Sequence, residues 1–364
     1  MKIGLFTYYR SNYGAALQAY ALKEFLELTY NNVKVYMVDY YHDREYSIFE
    51  TQSNSFFKRM VKKGFILLHY FEIKRRNNRH SIFNESYLNQ ERFLYQGGKE
   101  FDKLPEYDIY LTGSDQVFNI NSNRYLLLFF QQFKRQGVQA AYAPSFGQSV
   151  FTKAERDRIK DLTKGFDYLS CREKDGAEML SQVHGKDVPC VIDPTLLLTA
   201  DQWNSMLKVP DTNDKYLLVY DLNGGVPMLN IARKVAADKG LKLYCITRHP
   251  DISFIYKGFD KVIFDAGPRE FVGYFAKASY VITDSFHGTA FSITYRKPFN
   301  TYIALPKAGQ RIYSLLDMCN LKNRIISEAL TIETGESCYS NFDNSSFNEY
   351  RDSSISFLTR ILSR

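Results

Sequence analysis

The stretch V-I-T-D-S-F-H-G-T-A-F-S-I-T, residues 281–294, decides the fold. Its β-branched start, Val281, Ile282 and Thr283, predicts a short buried strand, and from Gly288 and Ala290 an apolar, helix-like run follows. Asp284, Ser285 and His287 crowd into the turn between them. A strand-to-helix turn of this kind puts polar side chains and free backbone N–H groups at the carboxyl edge of a parallel sheet. Ligands bind there, anions above all. Taken alone, the same residues serve equally as a capped turn with His287 as a satisfied structural hydrogen-bonder.

Working outward, strand-like runs alternate with helical ones. Strands are expected at 3–8, 33–39, 107–112, 138–142 and 168–171, with helices at 15–28, 153–163 and 174–182. A second series begins near Lys215, with strands at 216–220, 241–246, 262–264, 280–283 and 299–303 and helices at 228–239, 269–277 and 312–320. Such alternation predicts parallel sheets with helices on both faces. The break falls around 199–214, where P-D-T-N-D (210–214) reads as a linker. The expectation is therefore α/β: two Rossmann-like domains facing one cleft. The first spans 1–205 with a basic helical insert at about 50–100. The second spans 206–364, its last helix packing back on the first domain.

Bulk properties narrow the function classes. The 364 residues, 45% hydrophobic, are those of a globular protein of two ordinary domains. Met1 and Lys2 lead straight into a strand-like run without a signal-peptide cleavage region. No apolar stretch approaches the roughly 20 residues that span a bilayer. Cys171, Cys190, Cys245, Cys319 and Cys338 are odd in number and lack CxxC spacing, against a disulfide framework or zinc site and for a reducing, cytoplasmic setting. No metal-ligand spacing, GxGxxG or GxxxxGK[ST] is present, so no metal is expected. The net charge of +7 is local: between Phe56 and His80 lie eight basic residues against Glu72 alone, so the rest of the chain is neutral and no nucleic-acid surface is expected.

Six segments in order carry a resemblance. They are I-G-L-F-T-Y-Y-R-S-N-Y-G-A-A-L-Q-A-Y-A-L (3–22), D-I-Y-L-T-G-S-D-Q-V-F-N (108–119), A-Y-A-P-S-F-G (141–147), L-S-C-R-E-K-D-G (169–176), V-I-D-P-T-L-L-L (191–198) and the turn T-D-S-F-H-G-T-A. Together the chain resembles the polysaccharide pyruvyl transferase family over nearly its whole length. The resemblance implies a GT-B-like fold and a cytoplasmic, bacterial enzyme of surface or capsular polysaccharide biosynthesis. It implies transfer of pyruvate from phosphoenolpyruvate onto two hydroxyls of a sugar, galactose-type in many family members, giving a cyclic ketal and phosphate. Phosphoenolpyruvate is then the donor substrate, with no cofactor.

That chemistry needs cations and oriented N–H groups for the donor's phosphate and carboxylate, and an acid and base for the enol carbon and the sugar hydroxyl. His287 fits proton transfer, with Asp284 close enough in sequence to orient its ring. Arg172 matches a family arginine that binds the donor; otherwise it is an ion pair with Glu173 or Asp175. Gly288 and Thr289 would let backbone approach the phosphate. Ser285 departs from the pattern, since many family members have Arg two positions before the His; Arg311 and Lys307, in A-L-P-K-A-G-Q-R (304–311), are the candidates to replace that charge. Asn12, Tyr13 and Gly14, with Ser114, Asp115 and Gln116, are expected on loops facing the cleft from the first domain. They would bind the acceptor, Tyr13 and Phe118 stacking on the sugar, although Asn12 and Asp115 also suit simple turns. Asp193, ahead of Pro194, reads as a turn initiator.

Two other functions remain open at this level: a nucleotide-sugar glycosyltransferase of the same architecture, and a non-catalytic saccharide-binding relative, which Ser285 keeps alive. The insert has its own reading. Phe57, Met60, Val61, Phe65, Leu68 and Phe71 recur at helical spacing among lysines and arginines, as in a helix lying on an anionic membrane, which would suit a lipid-carrier-linked acceptor; a buried amphipathic helix with a solvated basic face is the equal alternative.

Overall fold

Both halves of the chain close on the same sheet order. The computed structural model describes residues 1–10, 12–41, 56–95, 100–121, 125–223, 225–304, 309–327, 339 and 342–363. The first half runs β1 (Lys2–Phe6), α1 (Tyr13–Thr29), β2 (Lys34–Tyr41), α2 (Phe56–Leu68), α3 (Tyr70–Tyr87), β3 (Gln90–Leu94), β4 (Ile109–Thr112), α4 (Leu126–Phe129), β5 (Val138–Ala141), α5 (Lys153–Thr163), β6 (Tyr168–Leu169) and α6 (Lys174–His184). After α7 (Ala200–Asn204) come β7 (Tyr216–Asp221), α8 (Val226–Lys239), β8 (Lys242–Thr247), β9 (Lys261–Ile263), α9 (Pro268–Lys277) and β10 (Tyr280–Thr283). The chain ends with α10 (Phe286–Thr294), β11 (Phe299–Tyr302), α11 (Gln310–Met318), β12 (Ile325–Ile326) and α12 (Asn344–Leu362).

Among the described residues the first sheet has the order β3-β2-β1-β4-β5-β6 and the second β12-β11-β10-β7-β8-β9, every pair parallel. Counted within its own half, each is the doubly wound order 3-2-1-4-5-6. The central strands are buried along their whole length, β4 as I-Y-L-T, β7 as Y-L-L-V-Y-D and β10 as Y-V-I-T, because helices cover both faces of each sheet. The α/β reading with two Rossmann-like domains holds. Two strands escape the sequence reading. β3 (Q-E-R-F-L) is a charged edge strand lying within the stretch assigned to the insert, and β12 has only two residues. Ahead of β3, the described residues of the insert form two helices, α2 and α3.

The strand order reverses between β1 and β4 in one sheet and between β7 and β10 in the other. Crevices at the carboxyl ends of such strand pairs are where this fold binds ligands. Tyr13 at the start of α1 stacks on Phe271 of α9 (4.7 Å, 15°) and donates its hydroxyl to the Ala266 carbonyl (2.9 Å), which locks the two crevices face to face. Trp203 of α7, fully buried, packs on Tyr20 of α1 and Phe291 of α10. The stretch after α7 is pinned rather than loose: Lys208 N–H bonds the Arg269 carbonyl, and a Cβ on Gly273 would meet the Lys208 oxygen at 2.0 Å. The last helix, α12, lies on the first domain, with Phe357 against Tyr142 and Tyr168 and the Ser354 hydroxyl accepting from Ile192 N–H. No described helix is long and apolar enough to cross a membrane.

Candidate functional site

A cleft of about 390 Å³ opens where the two switch points meet. From the first domain it is lined by Tyr8, Arg10 and Asn12 after β1 and by Asp115 and Gln116 after β4. From the second come Tyr220 and Leu222 at the end of β7, Ser285, Phe286 and His287 after β10, and Arg311 in the first turn of α11. The volume suits a small polar ligand.

His287 lies at its base, on the start of α10. Ser285 caps that helix, its hydroxyl accepting from Gly288 N–H (3.4 Å), so the turn read from the sequence is present as a strand, cap and helix. The imidazole presses on α1: a Cβ on Gly14 would sit 2.0 Å from His287 Nδ1, which leaves only glycine there. Its Nε2 faces Asp193 Oδ2 at 3.9 Å, too far for a hydrogen bond, and has no other partner among the described residues. Burial lowers the His287 pKa below its usual 6.5, against Asp193 and Asp115, which raise it. The resting ring is neutral near pH 7.

Asp193 serves two neighbours with two oxygens. Oδ1 accepts from Thr195 N–H (3.0 Å) and the Thr195 hydroxyl (2.7 Å), the turn-forming role read from Asp-Pro. Oδ2 accepts from Arg172 Nη1 (2.7 Å) and Ser114 Oγ (2.9 Å), the role that the sequence reading missed. Burial alone would raise its pKa, but Arg172, with His287 and the Thr195 amide, outweighs it and holds Asp193 at about 2. Arg172 is 4% exposed; it also bonds Glu173 Oε1 (3.0 Å) and lies over the Phe286 ring (4.4 Å). Its ion pairs are thus with Glu173 and Asp193, not Asp175, and only Nη2 is left without a partner.

Several expected site residues are placed differently. Asp284 does not orient His287. Its carboxylate accepts from Leu222 N–H (2.9 Å), Asn223 N–H (3.0 Å) and Asn223 Nδ2 (2.7 Å), shaping the loop after β7, and burial raises its pKa to about 6. Asp193 takes the place beside the ring. Tyr13 and Phe118 are fully buried, Tyr13 between the domains and Phe118 stacked on Phe130 (4.2 Å), so neither offers a face to a sugar. Gly288 and Thr289 face inward. A Cβ on Gly288 would meet Thr283 Oγ1 at 2.4 Å, and the Thr289 hydroxyl bonds the Ser285 carbonyl and Thr301. Ser114 lies beneath the cleft, holding Asp193. Lys307 lies outside the described residues.

Asn12, Asp115, Gln116 and Arg311 are brought together in the cleft wall. Asn12 caps α1 through Gly14 N–H (2.9 Å). Asp115 has a left-handed backbone (φ 68°) while its carbonyl accepts from Val117 and Ser145 N–H. Such strain in a non-glycine residue at a cleft mouth marks a site that the surroundings enforce. Arg311 is half-buried, and its two terminal nitrogens reach the side-chain oxygen of Gln116 at 2.9 and 3.0 Å in the amide orientation that satisfies both groups. No carboxylate among the described residues forms an ion pair with it, and burial lowers its pKa. Arg10, also in the wall, is instead paired with Asp39. Glu173 was named only as an ion-pair partner of Arg172, and Tyr220 carried no local signal, because it reaches the cleft only where the second domain meets the first. Among the described residues no cluster fit to hold a metal is present.

The model of the family described as polysaccharide pyruvyl transferase matches residues 12–302, well over half of the chain. Among curated proteins, none matches. Among solved structures, the Staphylococcus aureus MnaA–UDP co-structure aligns over 100% of this chain and 98% of its own, with a TM-score of 0.55 at 13% identity. UDP-N-acetylglucosamine 2-epimerase from Rickettsia bellii covers 100% and 96% (TM-score 0.49, 11% identity), and Escherichia coli ADP-heptose lps heptosyltransferase II 100% and 98% (TM-score 0.44, 9% identity). At such identities the likeness to the first is one of fold.

Proposed function

This chain belongs to the polysaccharide pyruvyl transferase family and is a transferase, and on that premise we propose that it moves pyruvate from phosphoenolpyruvate onto two hydroxyls of a sugar. The observation that carries the reading is the pairing, in one cleft, of a buried histidine facing Asp193 with Arg311, an arginine that forms no ion pair with a carboxylate among the described residues. The donor's phosphate and carboxylate supply the missing negative charge. Arg311 takes phosphate oxygens through its fork, with Lys307 as a second cation; Arg172 keeps one free nitrogen. Ser285, where many relatives carry arginine, caps the helix instead. Asn12, Asp115 and Gln116 hold the sugar hydroxyls, and Gly14 leaves room for the histidine ring.

The protons balance on His287. As the first hydroxyl oxygen bonds the donor's central carbon, neutral His287 accepts the hydroxyl proton and delivers it to the enol methylene, which becomes the methyl group. Asp193, held ionised by Arg172, stabilises the imidazolium in between. The second hydroxyl then attacks the same carbon, phosphate departs toward Arg311, and the remaining proton leaves with it. No metal takes part in these steps. The acceptor is a galactose-type sugar of a surface polysaccharide, lipid-carrier-linked, on a cytoplasmic protein whose insert rests on the inner face of the membrane.

The test is incubation with phosphoenolpyruvate and a panel of aryl glycosides, reading phosphate release and product mass. Phosphate together with a ketal on a hexose is expected. Neither product on any hexose, or glycosyl transfer from a nucleotide sugar instead, overturns the reading.

A further inference from the structure

The basic insert divides its charge between two opposite settings. Along α3, Arg75 and Arg79 reach across to Asp265 (3.0 and 3.2 Å), and Arg79 also to Glu270 (3.4 Å), tying the insert to the second domain. One turn apart on the same helix, Arg76 and His80 point inward and are only 9% and 5% exposed. Arg248, just past β8 at the carboxyl edge of the second sheet, lies within electrostatic range of both. Among the described residues no carboxylate forms an ion pair with Arg76 or Arg248; Asp265 and Glu270, the nearest acids around Tyr13, are taken by Arg75 and Arg79. Arg76 Nη1, Arg248 Nε and both ring nitrogens of His80 are buried without a hydrogen-bond partner among the described residues.

Tyr13 closes the group on one side, its ring 5.1 Å from that of His80, but its hydroxyl is spent on the Ala266 carbonyl. Tyr220, 6.0 Å from Tyr13, lines the cleft. The cluster adjoins these tyrosines, and none of its three residues lines the cleft with His287 and Arg311. Burial lowers Arg76, and burial with both arginines lowers His80 to about 3, so His80 is a neutral donor between two cations. A buried guanidinium near a second, half-buried one, each with an unfilled N–H, is costly unless an anion completes them.

We propose that Arg76, His80 and Arg248 form a second anion site that binds the phosphate or diphosphate carried by the sugar acceptor, an inference that rests on the reading of the acceptor as carrier-linked. Paired guanidinium forks match diphosphate oxygens, and the carboxyl edge of a parallel sheet is where this fold receives them. The donor's phosphate is excluded by position, because it must leave beside His287.

Calorimetry and thermal melting of the full chain with inorganic pyrophosphate test this. Wild type should bind and be stabilised. Arg76→Met should melt at or above wild type without ligand, because an unpaired buried charge is gone, yet bind pyrophosphate at least about tenfold more weakly, as expected for loss of a charge-assisted contact. Arg248→Gln, a less buried position, should weaken binding likewise. Arg311→Gln should keep pyrophosphate affinity while losing phosphoenolpyruvate. Nucleoside diphosphate and short-chain prenyl diphosphate in place of pyrophosphate show which carrier the site accepts. No pyrophosphate binding by wild type, unchanged affinity in both Arg76→Met and Arg248→Gln, or loss only in Arg311→Gln overturns the proposal. Because these are binding measurements, they stand whether or not a ketal is formed.

Discussion

The two walls of the cleft treat buried charge in opposite ways. On the first domain, Arg172 is locked between Glu173 and Asp193, and Ser114 braces Asp193 from below. That wall pairs its buried charges within the fold, with Arg172 Nη2 left over. On the second domain, Arg311 bonds the neutral Gln116 amide and has no carboxylate ion pair among the described residues, and outside the cleft lining Arg76 Nη1 and Arg248 Nε are buried without a hydrogen-bond partner among them. In the proposed reaction that side is completed by anions that arrive with substrate. A paired buried charge holds geometry, whereas an unpaired one is stability withheld until binding.

The largest test of this contrast is Asp193→Asn. Removing one partner of a buried pair leaves an uncompensated charge, so about 3–5 kcal/mol of stability should be lost in denaturant unfolding at pH 7. Since the folded pKa of Asp193 is depressed to about 2 from 3.8, its contribution is present above pH 3.8 and disappears as pH falls toward 2. A loss under about 1 kcal/mol, typical of an exposed pair, would make the first wall no more than a surface ion pair.

Arg311→Gln is the opposite case. Phosphoenolpyruvate affinity should fall by about 1.5–3 kcal/mol, roughly 10- to 150-fold, with the melting temperature unchanged or higher. Lower stability with unchanged donor affinity would reverse the assignment of the two walls.

The pH profile sharpens the same comparison through His287, which lies between the walls. In the proposed reaction the neutral ring is the base, and burial lowers its pKa, so kcat/KM should hold above pH 6.5 and fall only as pH drops through a midpoint below that value. Asp193 raises this pKa, so any active Asp193→Asn protein should shift its acid limb still lower. An acid limb above pH 6.5 would take His287 out of the base role.

What could be read from the sequence follows how locally each residue is determined. The turn after β10 was legible because a β-branched run, a serine cap and a glycine lie within a few residues, and that is enough to specify a strand-to-helix edge. Asp193 was half legible. Thr195, two residues on, gives it a turn, but its Oδ2 partners lie 21 and 79 residues away at Arg172 and Ser114. Tyr13 looked like a cleft aromatic because N-Y-G opens a helix after a strand, and nothing local says that Phe271 of the other domain will cover it. Asp284 stood nearest His287 in sequence, yet adjacent residues in a tight turn point different ways, and the loop after β7 claims its carboxylate. Strand β3 was hidden by its charges, which an edge strand tolerates.

The smallest expected effect concerns the corner between α2 and α3, a part of the insert that neither wall uses. Met60, Leu67, Leu68 and Phe71 are 58%, 66%, 75% and 76% exposed, and Phe254 of the second domain, 61% exposed, meets Phe65 beside them (5.9 Å). Lys63 and Lys74 flank this face in the open. Unlike Arg75 and Arg79, neither lysine has an ion-pair partner among the described residues. Apolar side chains flanked by free lysines match an anionic bilayer surface, where each cation contributes about 1 kcal/mol near the lipid and less as salt rises. Neutralising Lys63 and Lys74 together should weaken flotation with anionic vesicles by about 2 kcal/mol at low salt. Leu68→Ser with Phe71→Ser should remove the salt-resistant remainder, and both variants should form ketal on free glycosides as wild type does. Flotation identical in all three proteins would leave this corner a solvated helix end and detach the membrane from the proposed reaction.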